Sequence, residues 1–163
     1  MFSPDGILVF ARSTSPRSGQ DPSPGDDNTH LFLPILPDLS LIFLLDPFNS
    51  QILYVGTSIY GGGGVFKSIN SGGSWTASLG GEPANVKCLT IDPSNPQTLY
   101  DGTDGGGVCK SSDGGVSWVA ISSGLTNSYV YMSTSVWWLA IAPSNPQILY
   151  AGTADGEAFR LAP

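Results

Sequence analysis

Carboxylates are the first side chains of this sequence that could do chemistry, and Glu82, Asp92 and Asp101 are the candidates. Hydrolysis of a glycosidic bond needs two carboxyl groups several ångströms apart in different environments. Asp92, however, aligns with Asp46 and with Ala142 in a recurring turn sequence, so a turn explains it without catalysis. We therefore predict no catalytic residue in this chain.

A calcium loop is the second chemistry to weigh, because Asp101 and Asp104 stand next to the glycine run 105–107. Calcium needs several oxygen ligands that converge on one point. Only one of three similar segments has this pair, so a plain hairpin tip is the favoured interpretation. The single histidine, His30, has no partner pattern for a nucleophile or a metal site. We expect neither a metal nor a cofactor.

Four aromatic residues lie close together before and within one apolar run: Tyr129, Tyr131, Trp137 and Trp138. Exposed tryptophan and tyrosine rings stack well on flat apolar surfaces such as sugar rings, which would suit a glycan-binding site. In a strand, adjacent residues point to opposite faces. An inner strand that is covered on both faces would bury both tryptophans, and we favour this core interpretation over the stacking site.

Composition narrows the fold class and the kinds of partner. The 163 residues include 21 glycines and 13 prolines, and only 12% of them are charged. This balance disfavours a disordered chain and a helical bundle, and it fits an all-β chain with many glycine turns. The net charge of −7 comes from 13 acidic and 6 basic residues with no basic cluster. We therefore exclude a nucleic-acid partner.

The N-terminal segment 1–40 differs from the rest of the chain. Residues 13–28 are rich in Ser, Pro, Gly and Asp, which predicts a flexible linker or loop, and 2–10 could form an isolated strand. The first residues do not resemble a secretory signal. The most apolar stretch, 31–45, is interrupted by Pro34, Pro37 and Asp38, so we expect no membrane span.

An internal repeat is the main signal. Three segments align, LLDPFNSQILYVGT at 44–57, TIDPSNPQTLYDGT at 90–103 and AIAPSNPQILYAGT at 140–153, at spacings of 46 and 50 residues. Each repeat predicts short strands: an apolar run (41–45, 87–91 and 137–141), a turn, the Leu-Tyr segment, a glycine hairpin and a third strand. A fourth strand follows near Ser117 and Trp118. Four-stranded meanders at this spacing are typical of propeller blades.

Two segments then carry a family resemblance. Residues 111–118 match the S-x-D-x-G-x-S/T-W pattern of the Asp-box, or BNR repeat, and 68–75 match it with Asn70 at the acidic position. The pattern positions are Ser68, Asn70, Gly72, Trp75, Ser111, Asp113, Gly115 and Trp118. The chain therefore resembles the Asp-box propellers of sialidases, sortilin-type receptors, xyloglucan hydrolases and photosystem II assembly-factor-like proteins. The resemblance implies that these boxes hold turns away from the ligand-binding face.

A sialidase-type site would need an arginine cluster and a Tyr/Glu pair, which the resemblance implies for that branch of the family. The only arginines are Arg12, Arg17 and Arg160, and they lie at opposite ends of the sequence, so we expect no such cluster.

Cys88 and Cys109 fall in the first and third strands of one repeat. Two strand spacings of about 4.8 Å separate these strands, which is beyond easy disulfide reach. We expect buried thiols there.

The sequence thus predicts an all-β, incomplete β-propeller with two four-stranded blades and part of a third. The predicted divisions are the irregular segment 1–40 and the blades 41–86, 87–135 and 136–163. We expect a non-catalytic binding or scaffold module, part of a larger assembly or a piece of a longer protein, that associates with itself or with further blades. Open alternatives are a fragment of a secreted glycoside hydrolase and a blade-repeat lectin that binds a glycan. The family resemblance favours an extracellular or cell-surface location.

Overall fold

Twelve short strands make up the described part of the molecule. The computed structural model describes residues 9–12, 40–58, 63–78, 85–122, 125 and 134–162, with the backbone alone for 9–12 and Ser40. These residues form strands and no helix. The strands are β1 Val9–Arg12, β2 Ser40–Leu45, β3 Leu53–Ser58, β4 Gly64–Ser68, β5 Thr76–Ala77, β6 Val86–Asp92, β7 Asn95–Thr103, β8 Gly107–Ser111, β9 Val119–Ala120, β10 Val136–Ile141, β11 Leu149–Thr153 and β12 Ala158–Leu161.

The strands pair in sequence order into three antiparallel sheets. Sheet 1 contains β1 to β5, sheet 2 contains β6 to β9, and sheet 3 contains β10 to β12. β1 overlaps the strand expected at 2–10 at residues 9 and 10 alone, and it pairs with β2 from Val9 opposite Phe43 to Arg12 opposite Ser40. Strands β2 to β5 of sheet 1 and β6 to β9 of sheet 2 form the same four-strand meander, β1 adds a fifth strand to sheet 1, and sheet 3 has three strands. The predicted all-β fold with two four-stranded units and part of a third is confirmed.

The turn between the first two strands of each repeat is fixed by an aspartate where one is present. The Oδ1 atom of Asp46 accepts the amides of Phe48 (2.8 Å) and Asn49 (3.1 Å). Asp92 Oδ1 accepts the amide of Ser94 at 2.8 Å in the same way. Such Asx turns satisfy backbone donors that would otherwise face water alone. The interpretation of Asp92 as a turn residue is confirmed.

Each sheet has two faces, which we name by the tyrosine of the Leu-Tyr segment. The forward face carries that tyrosine, and the rear face is the opposite one. The forward face of sheet 1 and the rear face of sheet 2 form one core, and the forward face of sheet 2 and the rear face of sheet 3 form a second. The first core comprises Ile42, Leu44, Tyr54, Val65, Val86, Leu89, Ile91, Leu99, Cys109 and Trp118. The second comprises Cys88, Tyr100, Val108, Val136, Leu149, Ala151 and Leu161.

Glycines on the forward faces let neighbouring sheets approach closely. A Cβ atom at Gly56 would lie 2.6 Å from Cγ1 of Val86, and one at Gly102 would lie 2.8 Å from Cγ1 of Val136. Both distances are far below van der Waals contact, so only glycine leaves room for the valine of the next sheet. The glycine of the repeated Leu-Tyr-x-Gly-Thr segment therefore sets the spacing between sheets.

The core interpretation of Trp137 and Trp138 is wrong. Their side chains are 44% and 57% exposed. The register shifts between Val136 and Trp138, which pair with Thr153 and Gly152, so a bulge interrupts the strict alternation that the sequence argument assumed. The indole of Trp138 lies on the forward face of sheet 3, where no sheet of the described chain packs.

The two cysteines lie on opposite faces of sheet 2. Cys88 belongs to the core shared with sheet 3 and Cys109 to the core shared with sheet 1, and no disulfide joins them. Burial, and to a lesser degree the nearby Asp101 carboxylate, raises the pKa of Cys88 to about 12. Both residues are buried thiols, as expected.

In the described part of the chain, no helix has the length and apolarity needed to cross a membrane.

Candidate functional site

The box turn 111–118 is built around one carboxylate. Asp113 Oδ1 accepts the amides of Val116 (3.0 Å) and Ser117 (2.9 Å), and Oδ2 accepts the Ser117 hydroxyl at 2.5 Å. The Ser111 hydroxyl donates to Oδ1 at 2.8 Å and accepts the amide of Gly115 at 2.9 Å. Gly115 has φ +83°, a left-handed conformation that favours glycine. Every polar position of the pattern is thus used inside the turn.

The electrostatics of Asp113 follow from these bonds. The Ser117 hydroxyl, then the Ser117 amide and the Ser111 hydroxyl, lower the pKa of this carboxyl to about 2. Hydrogen bonds to the charged form favour that form. Asp113 is therefore held as an anion and does not act as a proton donor near neutral pH.

The box turn 68–75 has the same geometry with an amide at its centre. Asn70 Oδ1 accepts the Ser68 hydroxyl (2.9 Å) and the Ser74 amide (2.8 Å), while its Nδ2 donates to the Ser74 hydroxyl at 2.9 Å. Ser68 Oγ accepts the amide of Gly72 at 2.9 Å. Ser71, at φ +57°, stands where the other turn has Gly114. Asparagine reproduces the acceptor pattern without the charge.

The box turn 111–118 also joins two sheets, which the sequence argument did not foresee. The Tyr54 hydroxyl and the Lys67 ammonium of sheet 1 both donate to the carbonyl oxygen of Gly114, at 3.2 and 2.9 Å. Lys67 Nζ also lies 5.3 Å from the centre of the Tyr54 ring. We call this Tyr-cation-carbonyl arrangement the joint. The recurrence of Leu-Tyr in all three repeats was the available signal.

The tryptophan that ends each box lies in a different setting in the two copies. Trp118 is 6% exposed, and its Nε1 donates to the Ser78 hydroxyl at 2.8 Å. The Ser78 hydroxyl in turn donates to the carbonyl of Gly115. Trp75 is half-buried, and its Nε1 has no hydrogen-bond partner among the described residues. The second tryptophan thus packs between two sheets, whereas the first lies at the side of sheet 1 that faces no described sheet.

The candidate stacking residues form an exposed aromatic patch. The rings of Trp137 and Trp138 meet edge to face, with centroids 5.7 Å apart, and Tyr150 is 48% exposed. Tyr129 and Tyr131 lie outside the described residues. The structure therefore brings two of the four predicted aromatics together and adds Tyr150, which the sequence argument had not included.

Asp101, which the sequence offered as a catalytic acid or as part of a hairpin tip, is a buried acid within β7. Its side chain is fully buried, Oδ1 accepts the Cys109 amide at 3.2 Å, and Oδ2 has no partner among the described residues. Burial raises its pKa to about 7, against the smaller opposing effect of hydrogen bonds from Cys109. A substrate cannot reach this carboxyl from solvent.

The remaining polar candidates do not converge on one point. Asp104 pairs with Lys87 at 3.3 Å and accepts the Ser135 hydroxyl at 2.7 Å, on the other side of the hairpin from buried Asp101. Within the described residues, no group of three or more His, Cys, Asp or Glu side chains could hold a metal ion. Glu82, Arg17 and His30 lie outside the described residues.

The comparisons with known proteins give a fold and no family assignment. No protein-family model matches the sequence, and no curated protein matches it. An ancestral GH74 enzyme is 23% identical over 68% of this chain and 13% of its own, with a TM-score of 0.56. The GH74 xyloglucanase from Xanthomonas campestris is 12% identical over 97% of this chain and 27% of its own, also with a TM-score of 0.56.

The chain therefore spans 13% and 27% of the lengths of these two enzymes. At these identities the similarity shows the fold alone. GH74 enzymes are β-propellers, and the three stacked sheets described above do not close on themselves. The chain has the fold of an incomplete β-propeller.

Proposed function

We propose that this chain is a non-catalytic binding or scaffold module of Asp-box propeller blades that works within a larger assembly. One observation carries the proposal: the forward face of sheet 3 is open. Trp138 and Tyr150 are 57% and 48% exposed, although Tyr54 and Tyr100 at the equivalent position are buried between sheets. A soluble protein rarely leaves such an apolar sheet face uncovered.

The roles of the described carboxylates support the proposal. Asp46 and Asp92 fix turns, Asp113 holds a box turn, and Asp104 pairs with Lys87. Asp101, which has the raised pKa of a general acid, is sealed in the core. A glycosidase needs an acid that touches the substrate, and these five carboxyl groups are engaged in structure instead.

The test is turnover by the purified chain. We expect no hydrolysis of a fluorogenic sialoside or of xyloglucan, because the five carboxyl groups named above are held in turns, in an ion pair and in the core. The control is a chain carrying Asp104→Asn, whose background signal should be identical. Turnover that a single carboxylate substitution abolishes would refute the proposal.

A second candidate function is a fragment of a glycoside hydrolase. The observation in its favour is that the two solved structures compared above are GH74 enzymes, one of them named as a xyloglucanase. In that case catalytic carboxylates would come from other parts of a longer protein. Xyloglucan binding by this chain without turnover, together with turnover by a longer product of the same gene, would favour it.

A blade-repeat lectin is the third candidate, and the exposed pair Trp137 and Trp138 favours it. Edge-to-face indoles can stack on a sugar ring. Glycan-array binding by the chain, lost in Trp137→Ala but retained in the exposed-surface variant Val119→Ala, would move the assignment in this direction.

A further inference from the structure

We infer that the forward face of sheet 3 binds the rear face of sheet 1 of a second copy of this chain, head to tail, in the same order of faces that joins the sheets within one chain. This inference rests on the proposed scaffold function, because it names the partner of the open face. It is carried by the repetition of one interface inside the molecule.

The two internal interfaces share a tyrosine and a cation on the forward face and a close-approach glycine beside them, and the carbonyl acceptor is seen at the first interface. Sheet 1 presents Tyr54, Lys67 and Gly56 to the rear face of sheet 2, and Gly114 supplies the carbonyl that both donors share. Sheet 2 presents a second tyrosine-cation pair to sheet 3, with Lys110 Nζ lying 5.7 Å from the centre of the Tyr100 ring. A forward face with these parts therefore receives the rear face of another sheet.

Sheet 3 keeps the parts of a forward face. Tyr150 pairs with Arg160 across the strands, as Tyr54 pairs with Lys67 and Tyr100 with Lys110. In this sheet, however, the tyrosine is 48% exposed and the cation is exposed too. Sheet 3 thus presents a tyrosine and a cation at the positions of the two donors of the joint between sheets 1 and 2.

Sheet 1 keeps the complementary parts of a rear face. Phe43, Leu53 and Phe66 occupy the positions of Leu89, Leu99 and Cys109 and are half-buried. Leu45, at the position of Ile91, is 43% exposed. The box turn of sheet 1 places the carbonyl of Ser71 where sheet 2 has the carbonyl of Gly114. One chain therefore carries both kinds of face at opposite ends of its stack of sheets; on the rear face of sheet 1, Leu45 is exposed and Val55 is already buried.

Trp138 adapts the open face. A Cβ atom added to Gly152 would lie 3.3 Å from the Trp138 ring. At the two inner interfaces, the corresponding space beside Gly56 and Gly102 is filled by Val86 and Val136 of the following sheet. The indole must therefore become part of the contact when a second copy docks. Its fluorescence emission should move to shorter wavelength as the chain associates.

Closure limits the assembly. Two copies provide six sheets, within the roughly four to eight blades of closed propellers. A head-to-tail contact whose rotation closes forms a ring, so a dimer would leave neither face open. We expect a closed dimer rather than a filament.

The experiment measures mass by light scattering coupled to size exclusion at micromolar concentrations of the full chain. The expected mass is twice 17.0 kDa. Tyr150→Asp spoils only the forward face of sheet 3, and Leu45→Asp spoils only the rear face of sheet 1. Each variant alone should lose about thirtyfold or more in dimer affinity, as for a central interface residue. Phe48→Asp, at a turn residue that is 70% exposed and outside both faces, is the matched control and should stay dimeric.

Mixing the two variants is the decisive step. A heterodimer of Tyr150→Asp and Leu45→Asp chains has one undamaged interface, so the mixture should regain a dimer that neither variant forms alone. Recovery also shows that both variants fold. A dimer that survives either substitution, or no recovery on mixing, overturns the head-to-tail contact.

A monomer of 17.0 kDa also overturns the inference, and it leaves the scaffold function open to other occupants of the face. If the tryptophan emission of that monomer shifts on addition of a xyloglucan oligosaccharide, a sugar occupies the face instead. Hydrolytic turnover, by contrast, would refute the proposed function and not the contact, so the two failures are distinguishable.

Discussion

Asp101 shows how one residue can set the pH dependence of the whole fold. Its pKa is about 7 in the folded chain and 3.8 for an ordinary aspartate, because burial disfavours the charged form. Between these two values the unfolded chain has lost the proton and the folded chain has kept it. The contribution of Asp101 to the free energy of unfolding is therefore greatest below about pH 4, and it is lost as the pH rises toward 7.

We expect the free energy of unfolding to fall by on the order of 4 kcal/mol over this range for the Asp101 contribution alone. Asp101→Val should remove the slope and stabilise the chain at neutral pH, because Val55 and Ala151 are buried at the equivalent positions. Urea unfolding at several pH values measures this. A slope that persists in the variant would show that another group titrates.

Asp113 makes stability depend on pH in the opposite direction from Asp101. Its pKa is lowered to about 2 by the hydroxyl and amide of Ser117 and the hydroxyl of Ser111. Its contribution to stability is present above the ordinary pKa of 3.8 and is lost as the pH falls toward 2. Asp113→Ala should lower the melting temperature by several degrees, and Asp113→Asn by less, because Asn70 holds the equivalent turn. Circular-dichroism melts provide the measurement.

Ser112→Ala is the matched control for that series, because Ser112 is an exposed neighbour in the same turn. It should melt like the unaltered chain. If Asp113→Asn proved as damaging as Asp113→Ala, the charge rather than the acceptor geometry would hold the turn.

At the scale of elements, the joint between sheets 1 and 2 is the contact to test. Tyr54→Phe removes the hydroxyl that donates to Gly114, while Lys67 still satisfies that carbonyl. We expect a loss of about 1 kcal/mol in the free energy of unfolding. Tyr150→Phe is the matched control and should have no effect at concentrations low enough to keep the chain monomeric. Equal losses in the two variants would show that the joint does not stabilise the chain.

The strands were predictable because their sequence signals are local. The apolar runs, the Asp-x-x-Asn turns and the glycine hairpins gave β6, β7 and β8 within a few residues, and the repeat spacing gave the order of the sheets. The exposure of Trp137 and Trp138 was not predictable in the same way. The exposure of these tryptophans depends on a one-residue bulge and on whether another sheet covers β10. The local sequence pattern predicts neither.

At the scale of the whole molecule, the alignment of the three repeats predicts burial that a single motif does not. Asp101 shares its column with Val55 and Ala151, so a charged residue in an apolar column was a visible signal of a buried acid. The joint was not predictable, because the sequence does not show which loop meets which tyrosine across 60 residues. No spacing rule supplies that, because the contact is set by how sheets stack.

That separation has a consequence for synthesis. The hydroxyl of Tyr54 and the carbonyl of Gly114 are 60 residues apart, so a ribosome must add those residues before the joint can form. At about 5–20 residues per second, Tyr54 waits roughly 3–12 s for the carbonyl to which its hydroxyl donates. The nascent chain is most exposed to chaperones, and to neighbouring nascent chains on the same message, during that interval.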